Sequence, residues 1–549
     1  MAPTIPRIDL HMADLERVVE RTRHTPLTED EYTTLKAAID TLGYVAHLVE
    51  QKGTTLAKLR QLLFGATTEK TRDVLARAGV DAHPSAGLHG DSADHERPRP
   101  GRDRGAGGHG RHGAGAYAGA RRIDVAHSGL HHGDRCPRCA TGTVYTQREP
   151  GVLIRFVGQA PMAVTVYALE KLRCHLCGDL FTADPPPGVG AEKYDATTGA
   201  MVALLKYGSG MPFHRLERLQ ANLQIPLPAS TQWTIVADTA TRMKPALEEL
   251  IRQAAQGELL HNDDTSMTVL DLVCPESPRG GPDDVSPDRT GVFTSGIVST
   301  RDGHRVALFL TGRRHAGENL AHVLAARAAD LGPPMQMCDA LSRNLPTPLA
   351  VIVGHCLAHA RRRFVEVTPS FPAECRHVLE TLRDVYRDDA DARAQGLSPD
   401  ERLAVHQAHS GPLMDQLHTW LTTQIDEHRV EPNSGLGQAI AYLLNHWTSL
   451  TLFLRHAGAP LDNNVCERAL KKAILHRKNA LFYKTLNGAH VGDLFMSLIH
   501  TCELEGANPF DYLTALQRHA NALAANPAAW MPWNYRETLT PLRAAVASA

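Results

Sequence analysis

Apolar and polar positions follow two different periods along this chain, and the period changes near residue 258. Between 197 and 256, apolar side chains recur every three or four positions, which is typical of helices that bury one face. From 258 onwards, short apolar runs bounded by turn residues predict strands at 259–273, 291–299, 304–312, 334–340 and 349–355. The helical period returns briefly at 316–331. The second half of the chain therefore begins as a mixture of strands and helices.

The order of these elements predicts a particular α/β core. Arg301-Asp302-Gly303 is a hairpin turn between two of the strands, so the first three strands are expected to be antiparallel. A crossover helix and two further strands complete the element order of a ribonuclease-H-like fold. We assign 258–365 and 456–515 to this core, with a helical insertion predicted between them over 366–455 and a C-terminal tail over 516–549. The fold class is therefore multidomain α+β.

The N-terminal region, residues 1–79, is predicted to be helical. Thr28 and Glu31 have the spacing of a capping box. Apolar residues then fall seven apart, at Leu35, Leu42, Val49, Leu56 and Leu63. This heptad pattern indicates either a coiled coil that pairs two chains or an amphipathic helix that packs on its own chain, and the sequence leaves both open. Residues 80–126 are rich in Gly, His and Arg, so we predict a flexible linker there.

Two CxxC pairs within residues 127–190 predict a zinc-binding ribbon. They are Cys136 with Cys139 and Cys174 with Cys177. Each pair can hold Zn²⁺ from one tight turn, and four thiolates complete a closed tetrahedral site that is structural. The β-branched residues between the pairs predict strands. The nearby His131, His132 and His175 are alternative ligands that the pattern does not require.

Residues 191–257 are predicted to form a helical, DNA-binding domain. A helix, a short break with two prolines and a second helix capped by Ser230 have the form of a helix-turn-helix. The second helix could then enter a major groove. Paired helices with short turns are also common in protein cores, so the pattern leaves both interpretations open.

Composition and charge restrict the class of protein. The chain has 549 residues, 43% hydrophobic residues and a net charge of −2, as expected of a globular protein without overall basic character. The longest apolar runs fall short of a membrane helix and the start lacks a signal-peptide pattern, so we expect a cytoplasmic protein. Basic residues nevertheless concentrate at 468–484, which holds six Lys or Arg and no acid. A polyanion such as DNA is the partner that this local patch favours.

Three acids predict the chemistry. Asp263 lies on the first strand of the core and Asp339 at the carboxyl end of the strand after the crossover helix, so they are expected at one end of the sheet. Glu467 is expected to join them from a helix that begins after Asp462 or Asn463, either of which can cap it. Asp264 competes with Asp263, because the sequence does not fix which side chain points to the site.

Three converging carboxylates need cations to stay ionised together. Two Mg²⁺ ions about 3.5–4 Å apart, or Mn²⁺ in their place, fit such a site and support in-line attack on phosphorus. The basic residues would then hold the phosphate backbone. The DNA-binding candidates are His359, Arg361, Arg362, Arg468, Lys471, Lys472, Arg477, Lys478 and Lys484. Cys338 and Cys356 have no CxxC partner and are expected to pack in the core.

With these residues identified, the chain resembles the large subunit, or transposase C, of bacterial insertion-sequence 66 transposases. The similar segments are "LLFGATTEK", "HNDDT", "GHCLAHARRRF", "LDNNVCERALKKAILHRKNALF" and "WMPWNY". The paired CxxC motifs also resemble the zinc-binding domain of that family. Two tryptophans of the family pattern are replaced here, by Leu357 and Ala480, and "CDALSRN" departs from the pattern around Asp339.

The resemblance implies a DDE transposase that carries its acids at Asp263, Asp339 and Glu467. It implies Mg-dependent strand cleavage and strand transfer at the inverted terminal repeats of an insertion sequence. The expected partners are terminal-repeat and target DNA, a second copy of the chain in a homodimer or higher oligomer, and small companion proteins from the same element. Two other functions remain open: a zinc-containing DNA-binding or repressor protein without catalysis, and a nuclease that cuts without joining. The protein is expected in the cytoplasm, associated with the nucleoid.

Overall fold

The computed structural model describes residues 28, 70–80, 129–139, 141–145, 160–173, 180–189, 192–273 and 289–547. The predicted heptad segment and the predicted linker lie almost entirely outside these residues. The described residues fall into two compact units. One contains α1 (Thr71–Arg77), which buries Leu75, together with residues 364–380. The other contains the sheet and the site described below.

Short strands flank the second CxxC pair, but the preceding segment is not the strand that the sequence predicts. β1 (Lys171–Arg173) pairs antiparallel with β2 (Leu180–Thr182). Residues 160–170 contain no strand, and Val166 is 86% exposed. β-branched residues favour strands when a neighbouring surface packs against them, and the exposed Val166 has no such surface. The prediction of strands is therefore wrong for this part.

A helical layer precedes the sheet. α2 (Ala196–Ala203) continues into a π-helical turn at Leu204–Gly208, and α3 (Phe213–Asn222) and α4 (Ala229–Ala255) follow. The predicted sequence of helix, break and helix is confirmed. The predicted cap is wrong, because Pro228 occupies the N-cap position and Ser230 lies in the first turn. Pro228 has the extended backbone that leads into a helix without a side-chain cap.

The central sheet has five strands in the order β5-β4-β3-β6-β7. These are β3 (Leu259–Ser266), β4 (Phe293–Arg301), β5 (His304–Gly312), β6 (Met335–Cys338) and β7 (Ile352–His355). β3, β4 and β5 are antiparallel, whereas β6 runs parallel to β3 and β7 parallel to β6. Asp302 and Gly303 have φ values of 51° and 81°, as a tight hairpin requires. The predicted element order is confirmed.

Two of the predicted elements end earlier than the apolar pattern suggests. After β3 the chain turns into the one-turn helix α5 (Leu270–Val273), so the predicted strand over 259–273 is too long. The crossover helix α6 (Ala316–Leu324) stops before residue 331. The segment that follows carries Arg327, whose guanidinium donates to the carbonyls of Ala255 and Gly257 at 2.8 Å each. This tertiary contact competes with continuation of α6 to residue 331.

Helices occupy most of the remaining chain, as predicted. They are α7 (Leu357–Val367), α8 (Pro372–Ala394), α9 (Pro399–Val405), α10 (Gly411–Asp426), α11 (Gly435–Asn445), α12 (Trp447–Leu450), α13 (Asn464–Ala480), α14 (Leu486–Leu504), α15 (Pro509–Arg518), α16 (Ala520–Ala525) and α17 (Tyr535–Ala547). Within the predicted C-terminal tail, Trp530 is 1% exposed and belongs to the main core. Among the described residues, none of the helices combines the length and apolar character of a bilayer span.

Two helices cover opposite faces of the sheet at β4. A Cβ on Gly296 would lie 3.0 Å from the Leu470 side chain of α13, whereas the neighbouring Ser295 accepts a 2.8 Å hydrogen bond from Asn319 of α6. Adjacent residues of a strand point to opposite faces. α13 therefore packs on one face and α6 on the other.

α14 covers the free edge of the sheet with polar side chains four residues apart. Strand residues Ala307, Phe309 and Thr311 of β5 donate their backbone N–H groups to Thr501, Ser497 and Asp493, respectively. Four helical residues span about 6 Å and two strand residues about 6.6 Å, so the spacings match. The helix thereby fixes the position of the segment between α13 and α14.

Candidate active site

Asp263 lies on β3, and Asp339 directly follows the neighbouring parallel strand β6, in the same register. His261 of β3 pairs with Met337 of β6, and each aspartate is two residues further along. Because neighbouring strands are about 4.8 Å apart and residues two apart share a face, the two carboxyl groups meet at one edge. Asp339 follows directly after β6, and the side-chain amide of Asn344 donates to its Oδ1.

Strand alternation separates Asp263 from Asp264. Asp263 is the cross-strand partner of Gly296, so its side chain is on the α13 face. Asp264 is on the α6 face, where its Oδ2 lies 2.9 Å from His315 Nδ1 and its Oδ1 lies 3.3 Å from Arg343 Nη2. The Asp264 side chain is only 2% exposed. Asp264 is therefore engaged by partners on the face opposite α13.

The start of α13 is fixed to the sheet through Asn463. Its Nδ2 donates to the carbonyl of Asn262 at 3.0 Å, and its backbone N–H donates to Cys356 Sγ at 3.2 Å. Asn463 occupies the N-cap position, yet its side chain does not cap the helix. Asp462 does so instead, by accepting the backbone N–H of Asn464. The sequence identified both capping candidates but missed the contact of Asn463 with β3, which is a long-range contact.

The electrostatics link Asp263 to the two distant acids. Burial, together with the negative charges of Asp339, Asp264 and Glu467, raises the pKa of Asp263 to about 7. The backbone N–H of Asp264 donates to the Asp263 carboxylate and partly opposes this effect. Three acids that are 76 and 128 positions apart in the sequence thus influence one another in the fold.

Glu467 also belongs to a second group of polar side chains. Ligand atoms of Cys356, His359 and Glu467 lie within 4.8 Å of one another, and His359 Nε2 is 3.6 Å from Glu467 Oε1. Within the described residues, this is the set of three possible metal ligands whose atoms lie this close together. It does not include Asp263 or Asp339. Glu467 Oε1 has no hydrogen-bond partner there. Glu467 thus lies beside His359 while its charge acts on Asp263.

This cluster changes the interpretation of two residues. Cys356 is buried as expected, and burial raises the pKa of its thiol to about 11. Its sulfur nevertheless lies beside a candidate catalytic acid, which the absence of a CxxC partner did not indicate. His359 was predicted only as a DNA contact. The spacing of Cys356 and His359 at the start of α7 was the signal in the sequence that could have linked them.

The basic residues of α13 fall into two groups. Arg468, Lys471 and Lys478 are exposed along the helix, and Lys484 is exposed just beyond it. The other two residues make contacts within the fold. Lys472 forms a 2.8 Å ion pair with Glu503, and Arg477 donates to Thr265 Oγ1 at 3.0 Å and to Ser266. Arg361 and Arg362 of α7 are half-buried.

The first CxxC pair lies in a tight turn. The Cys136 N–H donates to the Gly142 carbonyl at 2.7 Å, and the Gly142 N–H donates to Cys139 Sγ at 3.4 Å. Donation by Gly142 is the largest effect that lowers the pKa of Cys139, to about 6. A thiolate held by backbone N–H groups suits a metal ligand. The other pair, Cys174 and Cys177, lies outside the described residues.

Comparisons with known proteins agree with the resemblance seen in the sequence. The family model described as "Transposase IS66 family" matches residues 193–491. The uncharacterized protein y4jD of Sinorhizobium fredii is 26% identical over 421 residues, which cover 73% of this chain and 78% of that protein. The uncharacterized protein y4hP of the same organism is 26% identical over 397 residues, which cover 67% of each chain.

Proposed function

Because the chain belongs to the IS66 family of transposases, we propose that it cleaves DNA strands and joins them to new sites. The catalytic groups would be Asp263, Asp339 and Glu467. The observation that carries this proposal is the position of Asp263 and Asp339 at the same register of neighbouring parallel strands, on the face against which the helix with Glu467 packs. The raised pKa of Asp263, to which burial and the charges of both other acids contribute, agrees with it. A buried carboxylate that faces two further carboxylates is costly in a purely structural role. A site that binds cations explains why the three acids are kept together.

The sheet supports a ribonuclease-H-like core for this activity. Three antiparallel strands, a crossover helix and two parallel strands occur in the order β5-β4-β3-β6-β7. Asp263 comes from β3 and Asp339 from the end of β6, which are neighbours in this order. Glu467 comes from α13, the helix that packs on the face of the sheet where Asp263 lies. Helices between β7 and α13 would form the proposed insertion over 366–455.

The donor atoms fit hard divalent cations. Carboxylate oxygens are the ligands that Mg²⁺ prefers, and Glu467 Oε1 has no hydrogen-bond partner among the described residues. When bound, two Mg²⁺ or Mn²⁺ ions would supply an activated water or 3′-hydroxyl and stabilise the leaving oxygen. Asp263 and Asp339 would hold them from the strands and Glu467 from α13. His359, whose Nε2 lies 3.6 Å from Glu467 Oε1, would lie beside the bound cation.

DNA would lie along the exposed side of α13. Arg468, Lys471, Lys478 and Lys484 are exposed there, and the net charge of the chain is −2, so attraction of phosphate must be local. Half-buried Arg361 and Arg362 on α7 would add to this surface, with His359 close to the cleaved phosphate. Lys472 and Arg477 would contribute mainly by holding α13 on the fold.

The helix pair at 191–257 would contribute DNA contacts mainly through α3. α4 is a core helix that buries Val236, Met243 and Leu250. α3 has a more polar surface, on which Arg215 and Arg218 are exposed. A second copy of the chain would be needed to hold both ends of an element, and small companion proteins from the same element would join the assembly.

The zinc-binding ribbon is proposed as a structural element. The turn that holds Cys136 and Cys139 suits one half of a tetrahedral site, and Cys174 and Cys177 would supply the other half. We expect metal analysis of the purified protein to find one Zn²⁺ per chain, and Cys136→Ser to lose it and to melt at lower temperature. Unaltered zinc content in this variant would contradict the site. Leu172→Ala, which changes an exposed residue of the same segment, is the control.

The experiment that tests the function uses terminal-repeat DNA and Mg²⁺. We expect the wild-type protein to give cleaved and joined products, and Glu467→Gln to reduce cleavage at least 1,000-fold, as expected for loss of a group that acts in the transition state. The DNA affinity of this variant should change by less than about twofold, because the exposed cations remain. Glu427→Gln, which changes an exposed acid at the end of α10, outside the proposed site, should cleave normally.

Each alternative function gives a different result. Nicked products without joined products would indicate a nuclease, and a gel shift without any cleavage would indicate a DNA-binding or repressor protein. Cleavage by Glu467→Gln at the wild-type rate would rule out the assignment of this acid.

A further inference from the structure

Two exposed apolar side chains follow directly after the end of α13. Leu481 is 65% exposed and Phe482 is 42% exposed, whereas the next residue, Tyr483, is 5% exposed. Large apolar residues in a short segment of the surface often mark a binding site. The segment directly follows the helix that carries Glu467.

The two side chains are held from both ends. The Leu481 N–H donates to the Arg477 carbonyl at 2.9 Å, which continues the helix. The Tyr483 N–H donates to the Thr268 carbonyl at 2.9 Å, and its ring stacks on His476 with centroids 4.2 Å apart. Leu481 and Phe482 therefore lie between two fixed points, so little conformational freedom would be lost when a ligand packs on them.

Leu481 also adopts a backbone conformation that favours glycine. Its φ is 68°, in the left-handed region that residues other than glycine rarely occupy. Its ψ is −44° and the Phe482 N–H donates to the Ala480 carbonyl at 2.9 Å, so Leu481 is the central residue of a γ-turn, which is strained for a residue that has a Cβ. A leucine here makes the fold less stable than a glycine would. Strain of this kind is found mainly where the side chain has a function.

The surrounding charge identifies the ligand. Lys478 precedes the apolar pair and Lys484 follows it, both exposed, and residues 468–484 contain no acid. Phe482 and Lys484 lie on one side of the segment, because Tyr483 between them is buried. An apolar surface between cations matches the faces of nucleic-acid bases between phosphates. A purely apolar peptide would leave these lysines without a partner.

We propose that Leu481 and Phe482 form a binding site for an unstacked DNA base, with Lys478 and Lys484 holding the adjacent phosphates. This site rests on the proposed function and specifies how the DNA is held. Tyr483 is bridged to Val269, which is six residues after Asp263. Six residues of strand span at most about 20 Å. At about 3.4 Å per nucleotide, the base lies within about six nucleotides of the cleaved phosphate.

The test compares two DNA probes, a short duplex and the same duplex with one unpaired 2-aminopurine. We expect the full-length protein to bind the second probe about tenfold more tightly, because stacking of one base contributes a factor of this size. Stacking should also quench the 2-aminopurine fluorescence. Phe482→Ala should lose both effects while binding the plain duplex as the wild type does, and Phe482→Tyr should keep them. Leu475→Ala, at another exposed apolar residue of α13, is the matched control.

Leu481→Gly distinguishes a role of Leu481 in DNA binding from a role in the stability of the fold. Removing the strain should raise the melting temperature, while the preference for the unpaired probe falls. A lower melting temperature would show that the leucine is structural and would overturn the proposal. Equal binding of the two probes by the wild type, or an unchanged preference in Phe482→Ala, would also overturn it. Failure to bind either probe would overturn the proposed function together with this site.

Discussion

At the scale of single residues, surroundings matter more than residue type. Asp263 and Asp264 are adjacent and chemically identical, yet one faces the α13 side of the sheet and the other contacts His315 and Arg343. The sequence predicted an acid at this point and could not choose between the two. Strand register decides that choice, and it depends on β4. The roles of Asn463 and Cys356 were also missed, because these two residues contact each other across more than 100 positions of sequence.

Asp263→Asn should stabilise the protein in the presence of a metal chelator. The folded-state pKa of Asp263 is raised from 3.8 to about 7, so its ionisation opposes folding. The stability associated with the protonated group is present at pH values below about 4 and is lost as pH rises towards 7. At pH 8 the asparagine variant should therefore gain about 1–2 kcal/mol in its free energy of unfolding, after allowance for partial solvent screening. Urea denaturation at pH 8 and pH 5 measures this gain, which should shrink at the lower pH.

Asp264→Asn is the matched variant and should have the opposite sign. It removes a buried carboxylate from His315 and Arg343, so the free energy of unfolding should fall by about 1–3 kcal/mol at pH 8. If both asparagine variants shifted stability in the same direction, the assignment of the two faces would be wrong.

At the scale of elements, α13 is the helix that carries Glu467, and its distance from the sheet depends on Gly296. The sequence predicted the order of strands and helices well, because hydrophobic periodicity is a local property. It overestimated the length of β3 and α6, where tertiary contacts end the element. It also gave no sign of how closely α13 approaches β4. That approach depends on a residue with no side chain, opposite Asp263 in the sheet.

Gly296→Ala should impair catalysis by displacing α13. The new Cβ would lie 3.0 Å from the Leu470 side chain and 3.4 Å from Cys466 Sγ, so these side chains of α13 must give way by a few tenths of an ångström, and we expect the helix to shift with them. Displacing Glu467 with it should lower the cleavage rate about tenfold or more, while DNA affinity is preserved. Single-turnover cleavage and a gel shift measure the two effects.

Gly312→Ala is the control for this substitution. Gly312 ends the neighbouring strand β5, and a Cβ there has no atom within 4 Å. Wild-type cleavage by Gly312→Ala and slow cleavage by Gly296→Ala would support the account. Equal rates for the two variants would show that the separation of α13 and β4 does not matter for catalysis.

At the scale of the whole molecule, the fold brings together acids that the sequence separates widely. The alternation of apolar runs was enough to predict the core order, and the order was enough to expect Asp263 and Asp339 on neighbouring strands. Packing of the C-terminal helices around Trp530 was not predictable, because an apolar residue near a terminus does not reveal its partners. The predicted domain boundaries remain predictions, as does the pairing of chains through the N-terminal heptads.

The most direct test of the central claim maps where a metal ion binds along the chain. Fe²⁺ can replace Mg²⁺ at sites of oxygen ligands, and with ascorbate and peroxide it cuts the nearby backbone. With the zinc site filled beforehand, the account predicts cuts close to residues 263, 339 and 467 in the same molecules, all suppressed by excess Mg²⁺. Cuts near only one of these positions, or cuts that Mg²⁺ does not suppress, would contradict a single site built from the three acids.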